Sequence, residues 1–329
     1  MLSVYVPKMG AQGVTLERKS VESETSFPEG VVWVDMFAPV AAEDRMVERV
    51  LGISIPTREE MQEIEVTSRL YNENGARYMT AILMCQSDTE SPKTTPVTFI
   101  LAGHRLITVR YDEPRPFAIV NNKLARSCPP HPTGETVMMD LIDAVIDRAA
   151  DILEKVAADV DGMSREIFDH ANAGFLRQHA YNNIFLGIGR RGDLTSKVRE
   201  SLVSIGRLLL YVSNEVEGEK WPKDQRAHLK GMQRDVGSLS DHATYLSNKI
   251  QFLLDAVLGV VSLQQNNIIK IFSVAAVVFM PPTLVASIYG MNFRHMPELE
   301  WEFGYPLALF VMVLAAVLPY VFFKWKRWL

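Results

Sequence analysis

The sequence has 329 residues, with 34 lysines and arginines against 39 aspartates and glutamates, so its formal net charge is −5. Hydrophobic residues make up 48% of the chain, which excludes a disordered protein. The acidic excess argues against a nucleic-acid-binding protein, which would carry a basic face. The two cysteines, Cys85 and Cys128, are too few for a disulfide scaffold and lack the spacing of a zinc site.

The N-terminal region mixes strand-like and helical stretches. Three runs of β-branched and aromatic residues predict strands, at 31–37, 76–84 and 98–111. Residues 102–105 predict a hairpin turn within the last run, and residues 72–75 predict another turn. In residues 56–65, a proline followed by acidic residues predicts the start of a helix. We therefore expect an α/β domain over residues 1–126, before a proline-rich break.

After this break the apolar spacing becomes helical, and we assign residues 135–228 to cytoplasmic helices. Two helices are predicted, over 137–187 and 194–216, with the glycine-rich stretch Gly187–Gly192 as a turn between them. From Leu229 to Val260, apolar residues recur at spacings of three and four, which is a heptad seam. The seam predicts packing of a stalk helix, residues 229–270, against copies of itself in an oligomer. The alternative is a single-chain bundle in which the preceding helices cover the seam.

Two C-terminal stretches contain no charged residue: 271–289 and 303–323. Each is long enough to cross a bilayer core of about 30 Å as a helix, whereas buried helices of a globular core usually show a polar stripe or are shorter. We therefore predict transmembrane helices at 271–290 and 303–323. Proline is absent between Leu229 and Pro281, so one helix of about 60 residues, about 90 Å long, should connect stalk and membrane.

The flanking charges predict the orientation of these spans. Lys270 precedes the first span, and the basic tail 324–329 follows the second, so both ends should be cytoplasmic. The connecting loop, residues 291–302, should then face outside. Residues 1–10 lack a basic region followed by an apolar run, so no signal peptide is expected.

The first span ends in Tyr289-Gly290-Met291-Asn292. Gly290 lets backbones approach closely, and Asn292 offers a carbonyl oxygen without a charge, although asparagine is also a common helix C-cap. Three acids of the loop would concentrate cations at this end of the helix, or would simply be solvated: Glu298, Glu300 and Glu302. Helical spacing brings one set of side chains near a common face, with Phe272 at its edge: Asn266, Ile269, Ser273, Ala276, Met280, Thr283 and Ser287.

Several of these motifs together resemble the CorA magnesium/cobalt channel family. They are the Tyr-Gly-Met-Asn string at 289–292, the Met-Pro-Glu-Leu string at 296–299, Gly-Tyr-Pro at 304–306 and the basic tail. The Trp-Val-Asp string at 33–35 and residues 56–81 also resemble the N-terminal domain of that family. The resemblance covers nearly the whole chain and is most specific over residues 280–306.

The resemblance implies a homopentamer in the inner membrane, with a funnel-shaped cytoplasmic domain and a pore lined by the first span. It implies passive transport of Mg²⁺, with Co²⁺ and Ni²⁺ as further cargo, and no enzymatic activity. Gly290, Met291 and Asn292 would form the selectivity ring. The pore lining and gate would comprise Asn266, Ile269, Phe272, Ala276, Met280, Thr283 and Ser287. A zinc transporter of the same two-span superfamily is the alternative.

Asp255 is an isolated acid on an apolar stretch of helix, which is costly unless the carboxylate is paired or binds a cation. The resemblance places it where the family binds a regulatory Mg²⁺ between subunits, with a partner acid among Asp88, Glu90 and Asp112. The alternative for Asp255 is a salt-bridged packing residue. The histidines lack the spacing of a metal or catalytic motif, so a membrane-anchored enzyme is the weakest hypothesis.

Overall fold

A computed structural model describes residues 1–10, 13–21, 27–171, 178–217, 221–292, 296–297 and 301–326. The chain divides into two compact units, Met1–Leu253 and Leu254–Leu329. The first unit contains a seven-stranded sheet and most of the helices. The second contains the C-terminal part of one long helix and a final helix.

The sheet has the strand order β2-β1-β3-β7-β6-β5-β4. Its strands are β1 (Leu2–Gly10), β2 (Gly13–Ser20), β3 (Trp33–Phe37), β4 (Leu70–Glu73), β5 (Ala76–Cys85), β6 (Lys93–Ala102) and β7 (Arg105–Arg110). Strands β3 and β7 are parallel, and every other neighbouring pair is antiparallel. The predicted strands are confirmed as β3, β5 and the β6–β7 hairpin, in which Ala102 pairs with Arg105.

The turn predicted at 72–75 is also confirmed, because β4 and β5 are joined through Asn74 and Gly75. Both residues have positive φ angles, 51° and 77°, as a tight two-residue hairpin turn requires. Strands β1 and β2 were not predicted. They form one antiparallel hairpin that extends the sheet beyond β3.

Helices cover both faces of the sheet. Val34 and Met36 of β3 point to the face covered by α1 (Ala41–Leu51), where Met46 and Val47 are buried. Trp33 of β3 points to the other face and contacts Phe117 of α4 (Arg115–Arg126). The alternation of side chains along β3 therefore gives the sheet a core on each side.

The helix predicted over residues 56–65 is shorter than expected. It is α2 (Arg58–Met61), followed by the one-turn helix α3 (Val66–Arg69). Thr57 caps α2, because the Glu60 amide donates to Thr57 Oγ1 at 3.3 Å. Met61 is the only buried residue of α2, so packing supports just one turn.

The turn predicted at Gly187–Gly192 is wrong. Helix α5 spans Gly134–Ala171, and helix α6 spans Gln178–Glu217 and runs through this stretch without a break. The glycines permit close packing of the two helices, since a Cβ on Gly187 would lie 3.3 Å from Met163 Sδ. Nearby, Arg191 donates to Asp159 at 2.8 Å, which joins α6 to α5.

The long helix that the sequence predicts is confirmed as α7 (Lys223–Tyr289), with 67 residues and a length of about 100 Å. The predicted role of its heptad seam as an intersubunit contact is not supported between Leu229 and Leu253. Apart from Leu239, which is half-buried, the seam residues in this part are buried within a single chain: Leu229, Met232, Val236, Ala243, Leu246, Ile250 and Leu253. Helix α6 lies along them, as the Gln233 side chain donates to the Leu209 carbonyl at 3.1 Å. The single-chain bundle is therefore what the structure shows here.

Among the residues that the structure describes, two helices are long and apolar enough to cross a membrane, namely α7 and α8 (Gly304–Trp325). Only 6% of the most apolar window of each helix is buried within the chain, so neither apolar window lies in the core of a globular domain. Such surfaces are unstable in water and suit a lipid environment.

Candidate functional site

The candidate pore residues lie on the C-terminal third of α7. With 3.6 residues per turn, they fall within an arc of about 120° around the helix. All are exposed in the single chain: Asn266, Ile269, Phe272, Ala276, Met280, Thr283 and Ser287. Phe272 and Met280 are 71% and 68% exposed, which is unusual for large apolar side chains of a monomer. This face is therefore available to line a shared passage.

A different side of the same helix segment is covered. Val274 is only 7% exposed and lies about 120° from Met280 around the helix axis. Two small residues at the start of α8, Gly304 and Ala308, are buried as well. Small residues allow close helix approach within a membrane. The arrangement leaves the candidate pore face uncovered.

Pro281 and Pro282 lie inside α7 without ending it. They lack amide hydrogens, so the carbonyls of Val277 and Val278 lose their usual helical donors. Thr283 lies one helical turn after Phe279, and its Oγ1 donates to the Phe279 carbonyl at 2.7 Å. Because the hydroxyl proton is used in this bond, the oxygen of Thr283 presents mainly lone pairs to its surroundings. An exposed hydroxyl in this state is an acceptor for water or for a hydrated cation.

The helix end is tightly built around Gly290. Its amide donates to the Ala286 carbonyl at 2.9 Å, and the Met291 amide then closes onto Ile288 at 3.2 Å. A Cβ on Gly290 would lie 3.2 Å from the Ala286 carbonyl oxygen, which is closer than an ordinary contact. Glycine at this position therefore allows the final turn to close.

Asn292 follows directly and is exposed. It does not have the positive φ of a left-handed helix cap, and its side chain has no hydrogen bond to any residue that the structure describes. No described residue therefore occupies its side-chain amide at the end of α7. Of the acidic loop, Glu302 is exposed just before α8, whereas Glu298 and Glu300 lie outside the described residues.

Asp255 is exposed on α7. Of its candidate partner acids, Asp88 accepts from Arg148 at 2.6 Å and from Arg115 at 2.9 Å. These cations, Arg148 above all, lower the pKa of Asp88. Sequence analysis did not anticipate the two arginines, which are 60 and 27 residues away along the chain and give no local signal.

The other two candidate acids differ in their surroundings. Burial raises the pKa of Asp112, but the Lys93 ammonium at 2.6 Å and the Thr95 hydroxyl outweigh it, so the net shift is downward. Glu90 is exposed and forms no ion pair with a described residue. Asp88 and Glu90 line one cleft of about 260 Å³ beside α5 and α6. The cleft also contains cationic side chains, among them Arg148 and Lys155, so its acids are partly neutralised within the chain.

Within the described part of a single chain, no three histidine, cysteine or acidic side chains are grouped so that they could hold a metal ion. The uncharged face of α7 is a different kind of site, because it offers hydroxyl and amide oxygens that suit a hydrated ion.

Comparison with known proteins identifies the family. Residues 28–327 match the family described as CorA-like Mg²⁺ transporter protein. The chain belongs to this family. The magnesium transport protein CorA of Pasteurella multocida is 34% identical over 298 residues, which cover 91% of this chain and 92% of that protein. The CorA of Salmonella typhimurium is 33% identical over 314 residues, or 95% and 96% of the two chains.

The fold agrees with this assignment to the CorA-like family. The complete structure of the CorA magnesium transporter from Methanocaldococcus jannaschii superposes with a TM-score of 0.75. The alignment covers 100% of this chain and 99% of the other at 17% sequence identity, so it shows a shared fold. The α/β domain, the long helix and the two apolar C-terminal helices all fall within the matched length.

Proposed function

We propose that this chain forms a passive Mg²⁺ channel in the inner membrane, with Co²⁺ and Ni²⁺ as further cargo and with both termini in the cytoplasm. The observation that carries the proposal is the exposed, uncharged face of α7, which ends in Gly290-Met291-Asn292 in a chain of the CorA-like family. The proposed assembly is a homopentamer, with the five copies of α7 around a central axis and no enzymatic activity.

The proposed division of the chain keeps the bounds expected from the sequence, so that α7 contributes to the stalk and to the pore-lining helix. Its parts are the cytoplasmic α/β domain 1–126, the cytoplasmic helices 135–228, the stalk 229–270, the pore-lining helix 271–290, the periplasmic loop 291–302, the second span 303–323 and the cytoplasmic tail 324–329. An oligomer is supported by the large apolar side chains that α7 leaves exposed in one chain, such as Phe272 and Met280.

Ion selection is assigned to the ring of Asn292 amides, shaped by Gly290 and Met291. Mg²⁺ is small and loses its water ligands reluctantly, so a pore does better to recognise the hydrated ion. Amide oxygens can accept hydrogen bonds from the first-shell waters, and the absence of a fixed charge lets the ion leave. The loop acids Glu298, Glu300 and Glu302 would raise the local cation concentration.

On the cytoplasmic side of Asn292, the exposed face of α7 would form alternating polar and apolar rings along the proposed pore. The acceptor oxygen of Thr283 would bind waters of the passing ion, and Met280 would form an apolar ring one turn below. Ile269 and Phe272, 54% and 71% exposed in the single chain, are proposed as the lower constriction. Rings of this kind can close a pore by excluding water.

The membrane potential is a sufficient driving force. Moving one charge inward through 100 mV gains about 2.3 kcal/mol, so a divalent ion gains about 4.6 kcal/mol. This corresponds to a concentration ratio of more than a thousand at equilibrium. The proposed transport therefore needs no nucleotide.

Regulation is proposed to occur through cytoplasmic Mg²⁺ held between subunits by Asp255 and an acid of the neighbouring chain. Glu90 is the best candidate of the three, because it is exposed and forms no ion pair with a described residue, whereas Asp88 pairs with two arginines and Asp112 pairs with Lys93. A bound ion would hold the closed pentamer. Its loss would leave carboxylates that repel each other and loosen the ring.

Magnesium is favoured over zinc as the main cargo. Zn²⁺ prefers nitrogen and sulfur ligands, with carboxylates as a third choice, whereas the face of α7 offers amide and hydroxyl oxygens. The two relatives described above, 34% and 33% identical to this chain, are also magnesium transport proteins. A zinc transporter remains the alternative function that the experiment must distinguish.

The test is ion uptake into proteoliposomes that contain a Mg²⁺-sensitive dye, at a fixed inside-negative potential. Mg²⁺ uptake should follow the potential and should fall at least tenfold in Asn292→Ala. Asn267→Ala is the matched control, because Asn267 lies on the same helix about 140° from Met280 and outside the proposed pore face. It should keep normal uptake.

Zn²⁺ and Co²⁺ are tested in parallel with an internal pH dye. Zn²⁺ entry coupled to protons, without Mg²⁺ entry, would replace the proposal by the zinc alternative. A well-folded oligomer that passes no cation would refute the channel. Equal losses in Asn292→Ala and Asn267→Ala would refute the role of Asn292 in selection.

A further inference from the structure

We propose that Lys270, Lys324 and Lys326 form a binding surface for the headgroups of anionic phospholipids in the cytoplasmic leaflet. The inference rests on the proposed crossing of the membrane by α7 and α8. It adds a partner that transport by itself does not require. The chemical group recognised is a lipid phosphate, held beside an apolar surface that accepts the acyl chains.

The positions of these lysines along the chain support the surface. Lys270 comes directly before the uncharged stretch of α7, and Lys324 comes directly after the uncharged stretch of α8. Two successive spans cross the bilayer in opposite directions, so the start of the first and the end of the second lie at the same membrane face. The three ammonium groups are thus brought to one interface by the lengths of the helices.

No described residue forms an ion pair with the lysines of this surface. All three lysines are exposed. Within the described part of the second unit, the acids are Asp255 and Glu302. Asp255 is 15 residues before Lys270 (270 − 255), or roughly 22 Å along the helix. Glu302 lies at the opposite end of α8, so the lysines need counter-charges from elsewhere.

The surroundings of the lysines favour a lipid over free phosphate. Ile271 next to Lys270 is 61% exposed, and Trp325 between the other two lysines is 77% exposed. A tryptophan at the end of a span is typical of the headgroup region, and lysine stems can lie along apolar surface while the ammonium reaches the polar layer. Free phosphate has no apolar part to cover these side chains.

Two of the three lysines, Lys324 and Lys326, lie at the end of α8, outside the helix that is proposed to line the pore. Consecutive residues are about 100° apart on a helix, so Lys270 lies about 100° from Ile269 but only about 40° from Asn266. Lys270 therefore borders the proposed pore face, whereas Lys324 and Lys326 do not. Neutralising Lys324 and Lys326 should therefore change lipid binding more than conduction.

The direct test measures lipids that remain bound to the full chain in nanodiscs and detergent, by native mass spectrometry. The probe is dioleoyl phosphatidylglycerol in competition with dioleoyl phosphatidylcholine. Each lysine near an anionic membrane is expected to contribute about fivefold to the preference. The variant K324Q/K326Q should thus lose the preference for phosphatidylglycerol by at least tenfold, and K270Q by about fivefold.

K230Q is the matched control, since Lys230 is an exposed lysine of the same helix α7 in the other unit. It should retain the preference, and the charge-conserving K324R/K326R should retain it too. Loss of the preference in K324R/K326R, or equal loss in K230Q, would overturn the proposal. A wild-type chain that retains both lipids equally would also overturn it.

Uptake of Mg²⁺ in the same lipid mixtures separates this inference from the proposed function. A selective loss of phosphatidylglycerol binding in K324Q/K326Q supports the lipid-binding surface whether or not Mg²⁺ is transported. Absence of Mg²⁺ uptake by the wild type and by every variant would refute only the proposed channel. Normal uptake together with no lipid preference would refute only the surface. Added salt should weaken the preference in the wild type, as expected for an exposed electrostatic contact.

Discussion

Replacement of Gly290 by alanine should stop conduction without unfolding the chain. The new Cβ would lie 3.2 Å from the Ala286 carbonyl oxygen. That oxygen accepts the Gly290 amide at 2.9 Å, so it cannot move by a few tenths of an ångström without weakening this bond. The net cost is on the order of 1 kcal/mol for the hydrogen bond, with a similar amount for the contact. We expect the final turn to open and displace Asn292.

The matched control is Gly259→Ala on the same helix. A Cβ at Gly259 meets nothing within 4 Å, so alanine there should stabilise the helix by up to about 1 kcal/mol. Dye-based Mg²⁺ uptake into proteoliposomes at fixed potential should fall at least tenfold in Gly290→Ala and stay near wild type in Gly259→Ala. Size-exclusion chromatography checks that both variants keep the same oligomer. Uptake by Gly290→Ala within twofold of wild type would refute the argument that this contact positions Asn292.

Three further predictions follow from named contacts. Thr283→Val should lower Mg²⁺ uptake several-fold in the same assay, whereas Thr283→Ser should keep normal uptake, because only valine removes the acceptor oxygen. Equal uptake by the two variants would contradict this prediction. Asp88 has a lowered pKa, chiefly from Arg148, so its contribution to stability is present above the unfolded pKa of about 3.9 and is lost as the pH falls through the lower folded pKa. The free energy of unfolding of Asp88→Asn, measured with urea, should not show this loss of stability at acid pH. If the pH dependence of stability is the same as in the wild type, the ion pairs of Asp88 are not the cause of that loss. Arg110→Met should lower the free energy of unfolding of the α/β domain by about 3–5 kcal/mol in urea, because it leaves the buried Asp35 carboxylate without a cationic partner. A decrease of less than about 1 kcal/mol would contradict this prediction.

The last of these predictions depends on a pair that sequence analysis did not identify. Arg110 donates to both carboxylate oxygens of Asp35, at 3.0 and 2.8 Å, and its guanidinium lies between the rings of Phe37 and Phe117. Asp35 and Arg110 are 75 residues apart in the chain. An acid inside a strand-like run signals a buried partner, but the partner becomes known only when β3 and β7 are placed side by side.

The heptad seam of α7 shows a similar limit. The spacing of three and four predicts one apolar face, and that face is confirmed from Leu229 to Leu253 by its burial. The pattern does not say which helix covers the face, since a neighbour in the same chain and a second copy satisfy it equally. In the structure α6 covers it, so support for an oligomer comes instead from the exposed face further along α7.

The turn predicted at the glycine-rich stretch Gly187–Gly192 is wrong for a related reason. Glycine lowers helix propensity, so a cluster of glycines predicts a break when only local preferences are considered. Packing reverses this result, because Gly187 lets α6 approach Met163 of α5 and the buried residues Ile184 and Ile188 continue the helical face. Tertiary contacts outweigh a propensity cost of about 1 kcal/mol per glycine.

The sequence by itself determined the two apolar helices, the length of α7 and the signature at its end. These features depend on local composition, since a span needs about 20 apolar residues and a long helix needs only the absence of breaks. Tertiary structure alone decided which chain segment covers the seam of α7 and which cations hold Asp88. Those features depend on residues distant in the chain or on contacts of a few ångströms, which no spacing along the sequence encodes.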